Sequence, residues 1–354
     1  MTRLEIARLK LKEMNLEALL VYDELNQRYL SEFEFSDGFL LITAENAYLV
    51  TDFRYYEMAL SSAASGFEVV MPSDRGAFID NMLNKDKAKH VGFEGGYLSY
   101  SAYTSLVEKH PDFEFINIGD MLAAMRQIKT ADELEKMQLA QNITDQAFSH
   151  LLNMITPEMT EIEVAAELEY AMKKRGADGL AFATIAVSGD ASALPHGTPR
   201  NVKLKRGFLT MDFGAKYEGY CSDMTRTIVI GKADDDIRKL YNTVLSAQLA
   251  AIEYLKYGRD CGEADKAARD IINKDYNGAF GHSLGHAVGL LVHEMPSLSP
   301  KAFDRKLVTG NVVTVEPGIY LFGKYGCRIE DMVAIEDDGI YNFTHSTKEL
   351  IEIL

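Results

Sequence analysis

Cysteine, proline and basic charge are all scarce in this chain, and each scarcity removes a class of protein. The three cysteines, Cys221, Cys261 and Cys327, lie far apart with no Cys-x-x-Cys pair. They are too few and too scattered for a disulfide framework or a zinc knuckle, and they fit reduced thiols in the cytoplasm. Eight prolines in 354 residues and the lack of any low-complexity tract give no sign of a long linker or disordered tail. No apolar run approaches the roughly 20 residues of a membrane span. The N-terminal stretch MTRLEIARLKLKEMN is charged and helix-patterned, without the apolar core of a signal peptide. Basic residues are outnumbered 37 to 53, a formal net charge of −16. No cationic face is therefore available to displace counterions from nucleic acid or to dock on an anionic membrane. The expectation is a soluble, cytoplasmic protein that engages neither.

What is present is ordinary for a globular protein, 47% hydrophobic and 25% charged. The length exceeds what one core usually supports, so two domains are expected. Residues 1–125 alternate short strands with helices and read as an α/β domain of mixed strand direction. FLLIT-AEN-AYLVT within it is patterned as a β-hairpin. This segment holds no ligand cluster and no phosphate-binding glycine loop. Residues 126–354 open on a capping box, Thr130 with Glu133, and a second, Thr160 with Glu163, starts another helix. Thr160–Ala177 is weakly echoed by Cys261–Ala279, which suggests two halves, each a long helix, a short helix and a β-hairpin.

The chemistry lies in those hairpins. In TMDFGAKYEGYCSDMTRTIVIG a turn centred between Tyr217 and Glu218 sets Asp212 opposite Asp223. Opposed side chains on one sheet face have Cβ atoms only about 5 Å apart. In NVVTVEPGIYLFGKYGCRIEDMVAIE, Glu316 and Glu330 are symmetric about Gly323, a natural loop apex. Two opposed carboxylate pairs in apolar strands call for cations between them. GHSLGHAVGLLVHEMP adds His282, His286 and His293 without the HExxH signature of a zinc helix. For His282 the plain reading is a satisfied core histidine. One imidazole with four carboxylates suits Mn²⁺, Co²⁺, Fe²⁺ or Zn²⁺ sharing carboxylates, rather than a thiolate zinc site.

GDASALPHG, MDFGAKYEGYCSDMTRT, GHSLGHAVGLLVHE, VTVEPGIY and CRIED, in this order, resemble the creatinase/aminopeptidase ("pita-bread") superfamily, in its Xaa-Pro aminopeptidase and prolidase branch. The resemblance implies a creatinase-type α/β domain over residues 1–125. It implies an α+β catalytic domain over 126–354, with a curved antiparallel sheet, helices behind it and pseudo-twofold symmetry. It implies two divalent metal ions, manganese preferred over cobalt, zinc or iron. Asp212 would chelate one ion, His286 and Glu316 the other, and Asp223 and Glu330 would bridge. A shared hydroxide would be the nucleophile and Glu316 its general base. His196 and His293 would contact the substrate around the scissile amide, and Arg328 would orient the carboxylates. The expected substrate is a peptide with proline in second position, and the expected assembly a homodimer.

One departure bears on peptide length. Dipeptide-cleaving members often carry an arginine four residues after the VHE histidine, placed to hold the free C-terminal carboxylate, and this chain has Ser297 there. Losing such a charge-assisted partner costs about 1.5–3 kcal/mol. The reading therefore favours an aminopeptidase P over a strict Xaa-Pro dipeptidase. A methionine aminopeptidase usually lacks so large an N-terminal domain. A binding protein on the same fold would tend to lose ligands that are all kept here.

Overall fold

The structure, a computed structural model, describes residues 1–63 and 66–354. It comprises two compact units, Met1–Arg126 and Gln127–Leu354. In the first, α1 (Arg3–Glu13), β1 (Ala18–Val21) and α2 (Glu24–Ser31) precede the hairpin of β2 (Phe39–Thr43) and β3 (Ala47–Val50). Then come α3 (Tyr56–Ser62), β4 (Glu68–Val70), α4 (Arg75–Lys85), β5 (His90–Phe93), α5 (Tyr100–Lys109), β6 (Glu114–Asn117) and α6 (Met121–Arg126). One sheet runs β4-β3-β2-β1-β5-β6. β2 is antiparallel to both its neighbours, and β3/β4, β1/β5 and β5/β6 are parallel. The consecutive parallel pairs are the ones joined through helices, since a parallel return needs a crossover. β1, β2 and β3 are buried along their whole length, which is why they read as unbroken apolar runs.

The second unit repeats one plan. Its first half is α7 (Ala131–Leu152), α8 (Glu161–Lys174), β7 (Gly179–Leu180), β8 (Ile185–Ser188), a 3-10 turn over Gly189–Ala193, β9 (Gly207–Phe213), β10 (Ala215–Tyr217), β11 (Tyr220–Cys221) and β12 (Met224–Ile230). Its second half is α9 (Asp235–Tyr254), α10 (Cys261–Ile272), β13 (Gly285–Ala287), β14 (Glu294–Leu298), β15 (Val312–Val315), β16 (Gly318–Leu321), β17 (Tyr325–Arg328), β18 (Asp331–Glu336), β19 (Gly339–Asn342) and β20 (Glu352–Ile353). The echoed stretches become α8 and α10. Both capping boxes form, with the Glu133 and Glu163 carboxylates each accepting a hydrogen bond from the cap threonine's N–H. α7 and α8 bury Phe148, Leu151 and Leu168 against Met211 and Phe213 of β9. α9 and α10 bury Leu240, Val244 and Ala268 against the second half's Val313 and Val333. No helix among the described residues is long and apolar enough to cross a membrane, and all three cysteines are free and buried.

The two hairpins differ from one another in register. Around Gly323 the pairs Val315↔Asp331 and Gly318↔Arg328 keep every residue symmetric about that glycine, so Glu316 and Glu330 occupy facing positions between two ladders. Gly323 sits at φ 75°, in a three-residue loop that requires a left-handed position. The Asp212–Asp223 hairpin is shifted by one residue from the expected turn. Tyr217 pairs with Tyr220, and Asp212 pairs with Thr225 rather than Asp223. The cause is the turn: Glu218 and Gly219 both take positive φ, 45° and 84°, which makes them the two central residues of a mirror-image β-turn. Asp223 then falls in the gap between β11 and β12. A Cβ on Gly214 would lie 2.0 Å from the Ser222 carbonyl, so the glycine is what lets the strands approach there.

A carboxylate and histidine centre

β9, the gap between β11 and β12, β13 and the β15–β18 hairpin converge on a cavity of about 520 Å³. Asp212, Asp223, His286, Glu316 and Glu330 all line it, as do His196, His293 and Arg328. His282 and Ser297 line it too.

Ligand atoms of Asp223, His286 and Glu330 lie within 4.8 Å of one another. His286 Nε2 is 3.6 Å from Asp223 Oδ2 and 3.3 Å from Glu316 Oε1. The other ring nitrogen, Nδ1, donates to the Ala287 carbonyl at 3.2 Å, which turns Nε2 toward the carboxylates. Asp212 stands slightly apart, its Oδ2 accepting from Arg328 Nη2 at 2.7 Å and its Oδ1 buried without a hydrogen-bond partner.

Burial, then the charges of Glu330 and Asp212, push Asp223 well above the usual carboxylate range. Burial, then Glu316 and Asp212, does the same to Glu330. Asp212 is raised less: burial dominates, and Arg328 opposes it. Glu316 goes the other way. Burial works to raise it, but the hydrogen bond and charge of His286, helped by His282 and Arg328, outweigh that and pull it down to about 2. A partnerless buried carboxylate oxygen, two mutually repelling acids and a presented imidazole nitrogen are the marks of a site built around cations. The donor set, one nitrogen and otherwise oxygen, fits divalent ions.

Residues that the sequence did not single out hold these groups. The Thr225 hydroxyl donates to Glu330 Oε2 at 2.7 Å and accepts from Arg328 Nε at 3.0 Å. The Thr314 hydroxyl accepts from the His286 N–H at 3.1 Å and lies 3.3 Å from Glu316 Oε1. Arg328 is itself buried and also donates to the Tyr320 hydroxyl at 2.8 Å. Tyr320 contacts His282 Nε2 at 2.8 Å, while His282 Nδ1 donates to the Ser283 carbonyl. His282 is thus satisfied, as a core histidine would be, yet it also lines the cavity. Thr314 lies two residues before Glu316, and Thr225 is the cross-strand partner of Asp212, so each threonine stands beside an acid of the cavity. His196 and His293 are exposed at the cavity, and the His293 ring lies 4.3 Å from that of His286.

A carboxylate-rich cation centre between two related half-domains of helices and antiparallel strands defines a metallohydrolase of the pita-bread architecture. The model of metallopeptidase family M24 matches residues 135–337, and that of the creatinase/prolidase N-terminal domain matches residues 3–128; the chain belongs to metallopeptidase family M24. It is 38% identical over 342 residues to an Xaa-Pro dipeptidase of Pyrococcus furiosus, covering 96% of each chain. Among solved structures it resembles an Xaa-Pro dipeptidase from Bacillus anthracis, with TM-score 0.94, 40% identity and coverage of 99% of this chain and 98% of that one. It also resembles an X-Pro aminopeptidase from Thermotoga maritima, with TM-score 0.91, 37% identity and full coverage of both chains.

Proposed function

We propose that this metallopeptidase removes the N-terminal residue of a peptide whose second residue is proline, in the manner of an aminopeptidase P. The observation that carries the chemistry is the cluster of Asp212, Asp223, His286, Glu316 and Glu330 in one cavity. In this reading Asp212 would help hold one divalent ion, His286 and Glu316 a second, and Asp223 and Glu330 would be shared between them. Bound there, the ions would supply an acidified water at neutral pH and stabilise negative charge on the substrate oxygen.

The chain's own residues do the rest. Glu316 accepts the proton of the attacking water. In the ion-free site the hydrogen bond and charge of His286 outweigh burial and hold Glu316 at about 2, so its carboxylate is ionised and free of a proton at neutral pH. Burial, then the neighbouring His286, pushes the His293 pKa down, so at neutral pH its ring is neutral and can hydrogen-bond the amide. His196 would meet the same amide from the loop after β8. Arg328 keeps Asp212 oriented through its 2.7 Å contact and opposes the rise in pKa that burial imposes on it. On the family resemblance the reading extends to manganese as the ion, a homodimer and a cytoplasmic location; metal analysis and sizing chromatography check the first two.

The preference for longer peptides rests on charge. Among the described residues lining the cavity, Arg328 alone carries a permanent positive charge, and it is buried against Asp212. Ser297, opposite His286 in the β13–β14 pairing, offers a dipeptide's C-terminal carboxylate no cation. The second reading, an Xaa-Pro dipeptidase, is favoured by the activity named for the P. furiosus and B. anthracis proteins.

Matched assays on an Xaa-Pro dipeptide and an Xaa-Pro-Yaa tripeptide, after chelation and readdition of Mn²⁺ or Co²⁺, separate the two. Faster tripeptide cleavage is expected, and cleavage of the dipeptide alone would sink the preference. Ser297→Arg should then raise kcat/KM for the dipeptide relative to the tripeptide by about ten-fold or more, the equivalent of ~1.5 kcal/mol for a charge-assisted contact. An unchanged ratio would mean that Ser297 does not face the substrate carboxylate.

A further inference from the structure

The segment that carries His196 leaves the sheet at Ser188, the end of β8, and comes back beside α8 at Arg200. Between them, residues 189–199 form an arch at the cavity wall, with Pro195, His196 and Gly197 among its lining. One side chain grips both feet of this arch. Glu161, the first residue of α8, is completely buried. Its carboxylate accepts from the Ser188 N–H at 2.7 Å and the Ser188 hydroxyl at 2.8 Å. It also accepts from three donors of Arg200: the N–H at 3.0 Å, Nε at 2.8 Å and Nη2 at 2.6 Å. The adjoining backbone repeats the tie, Glu161 N–H donating to the Val202 carbonyl at 3.1 Å and Ile162 N–H to the Arg200 carbonyl at 3.3 Å.

The crown of the arch is fastened to the metal-site hairpin. The Ser192 hydroxyl accepts from the Gly326 N–H at 2.9 Å, and the Pro195 carbonyl accepts from Arg328 Nη1 at 3.3 Å. The arch is therefore a strut between α8 and β17, with His196 exposed on it. The His196 ring can be no better placed than the backbone beneath it. Five hydrogen bonds converging on a single ionised group are charge-assisted and directional, and a buried carboxylate cannot shift toward water to compensate for the loss of one. Burial works to raise the Glu161 pKa, but the bonds from Arg200 and Ser188 outweigh it, so the group is ionised at neutral pH.

We propose that Glu161, through Ser188 and Arg200, is the positioning residue for His196: it sets the arch over the cavity and so the reach of that histidine to the substrate. The proposal rests on the reading that His196 meets the scissile amide, and it adds a determinant on a helix that contributes no residue to the cavity.

The test is a double-mutant cycle on the metal-loaded enzyme, with Glu161→Gln and Arg200→Met measured alone and on a His196→Ala background. Arg200 is 38% exposed at its side chain, so its variant keeps the fold should Glu161→Gln fail to. Each single clamp variant is expected to lower kcat by about 10- to 100-fold, the range for a small misplacement of a reacting partner. The Mn²⁺ dissociation constant should stay unchanged, because no metal ligand has moved. On the His196→Ala background either change should alter kcat less than about two-fold, since coupled residues do not add. Hydrogen exchange at the 189–199 amides should speed up in both clamp variants. Effects on kcat that add fully to those of His196→Ala would overturn the proposal, as would unchanged kcat in both clamp variants. If His196→Ala itself leaves kcat intact, the assigned role of His196 fails instead. Exchange at residues 189–199 then decides for the clamp, and unaltered protection there overturns it.

Discussion

Glu330→Gln is expected to lower kcat by about a thousand-fold or more and, in chelator, to raise the melting temperature of the same protein. The loss of activity follows if Glu330 is shared by both ions, because the electrostatic stabilisation it helps to hold is the largest contribution such a site makes. The gain in stability follows from the ion-free cluster. Glu330 is 1% exposed and Asp223 4%; burial, then Glu316 and Asp212, raises the Glu330 pKa, and burial, then Glu330 itself, raises that of Asp223. An acid whose folded-state pKa is raised contributes stability that is full below its unfolded pKa of about 4 and is lost as pH climbs through the folded value. At pH 8 the ion-free protein therefore carries repulsion that an amide would relieve, and the amide oxygen can still accept from Thr225. About 1–2 kcal/mol is expected, a few degrees of Tm for a unit of this size. The gap should narrow at pH 5. Added Mn²⁺ should stabilise the parent strongly and the variant weakly, since only a ligand that binds the folded state raises Tm. A variant that melts below the parent at pH 8 in chelator, or that keeps the full Mn²⁺-induced shift, would contradict this account of the cluster.

How far the centre was legible in the sequence depended on how local each signal is. Both capping boxes were readable because cap and partner lie three residues apart. The facing of Glu316 and Glu330 was readable because Gly323 marks its loop apex without ambiguity. The facing of Asp212 and Asp223 was misplaced by one residue because the turn sets a non-glycine, Glu218, at positive φ, and no pattern of residue types announces that. The outcome changes the chemistry less than a register slip usually would. Asp223 leaves the ladder altogether and reaches the cavity from the gap before β12. What stayed hidden are supports whose partners are remote: Thr225 is 105 residues from Glu330 and Glu161 is 39 from Arg200, while Arg328, 116 from Asp212, was reached only through the family resemblance. A threonine in a strand or a glutamate opening a helix has an adequate local reason to be there, so nothing in the sequence marks it as part of the site. In the first unit β1, β2 and β3 were legible as unbroken apolar runs.

Asp331→Asn should destabilise the protein more than any surface change, by about 3–5 kcal/mol, because it breaks a buried ion pair from one side only. Asp331 is fully buried and receives Arg226 Nη2 at 2.8 Å, Lys348 Nζ at 2.6 Å and the Asn342 amide at 2.9 Å. Arg226, 1% exposed, spends its other donors on main-chain carbonyls: Thr347 at 3.0 Å, Ser346 at 2.8 Å, Thr225 at 2.9 Å and Glu330. It has no room to carry its charge to water, so the neutral amide leaves a buried guanidinium without a counter-ion. Burial works to raise the Asp331 pKa, but Arg226 and Lys348 prevail and lower it. The stabilisation is accordingly present above the unfolded pKa of about 4 and is lost only as pH falls through the lower folded value, so the penalty is complete at pH 7. At about 2–4 °C per kcal/mol for a unit of this size, the loss in Tm is about 10 °C. The clasp also ties the segment at Ser346 and Thr347 to the carbonyl of Glu330, one residue before Asp331. Its loss should therefore weaken Mn²⁺ binding by about 10- to 100-fold, as removal of a group that orients a ligand does. Combining Asp331→Asn with Arg226→Met removes the stranded charge, so the double variant should lose less than the sum of the two singles by more than about 1 kcal/mol. Strict additivity, or a Tm loss under about 3 °C for Asp331→Asn alone, would mean that water or Lys348 compensates the buried arginine, and the pair would then be no brace for Glu330.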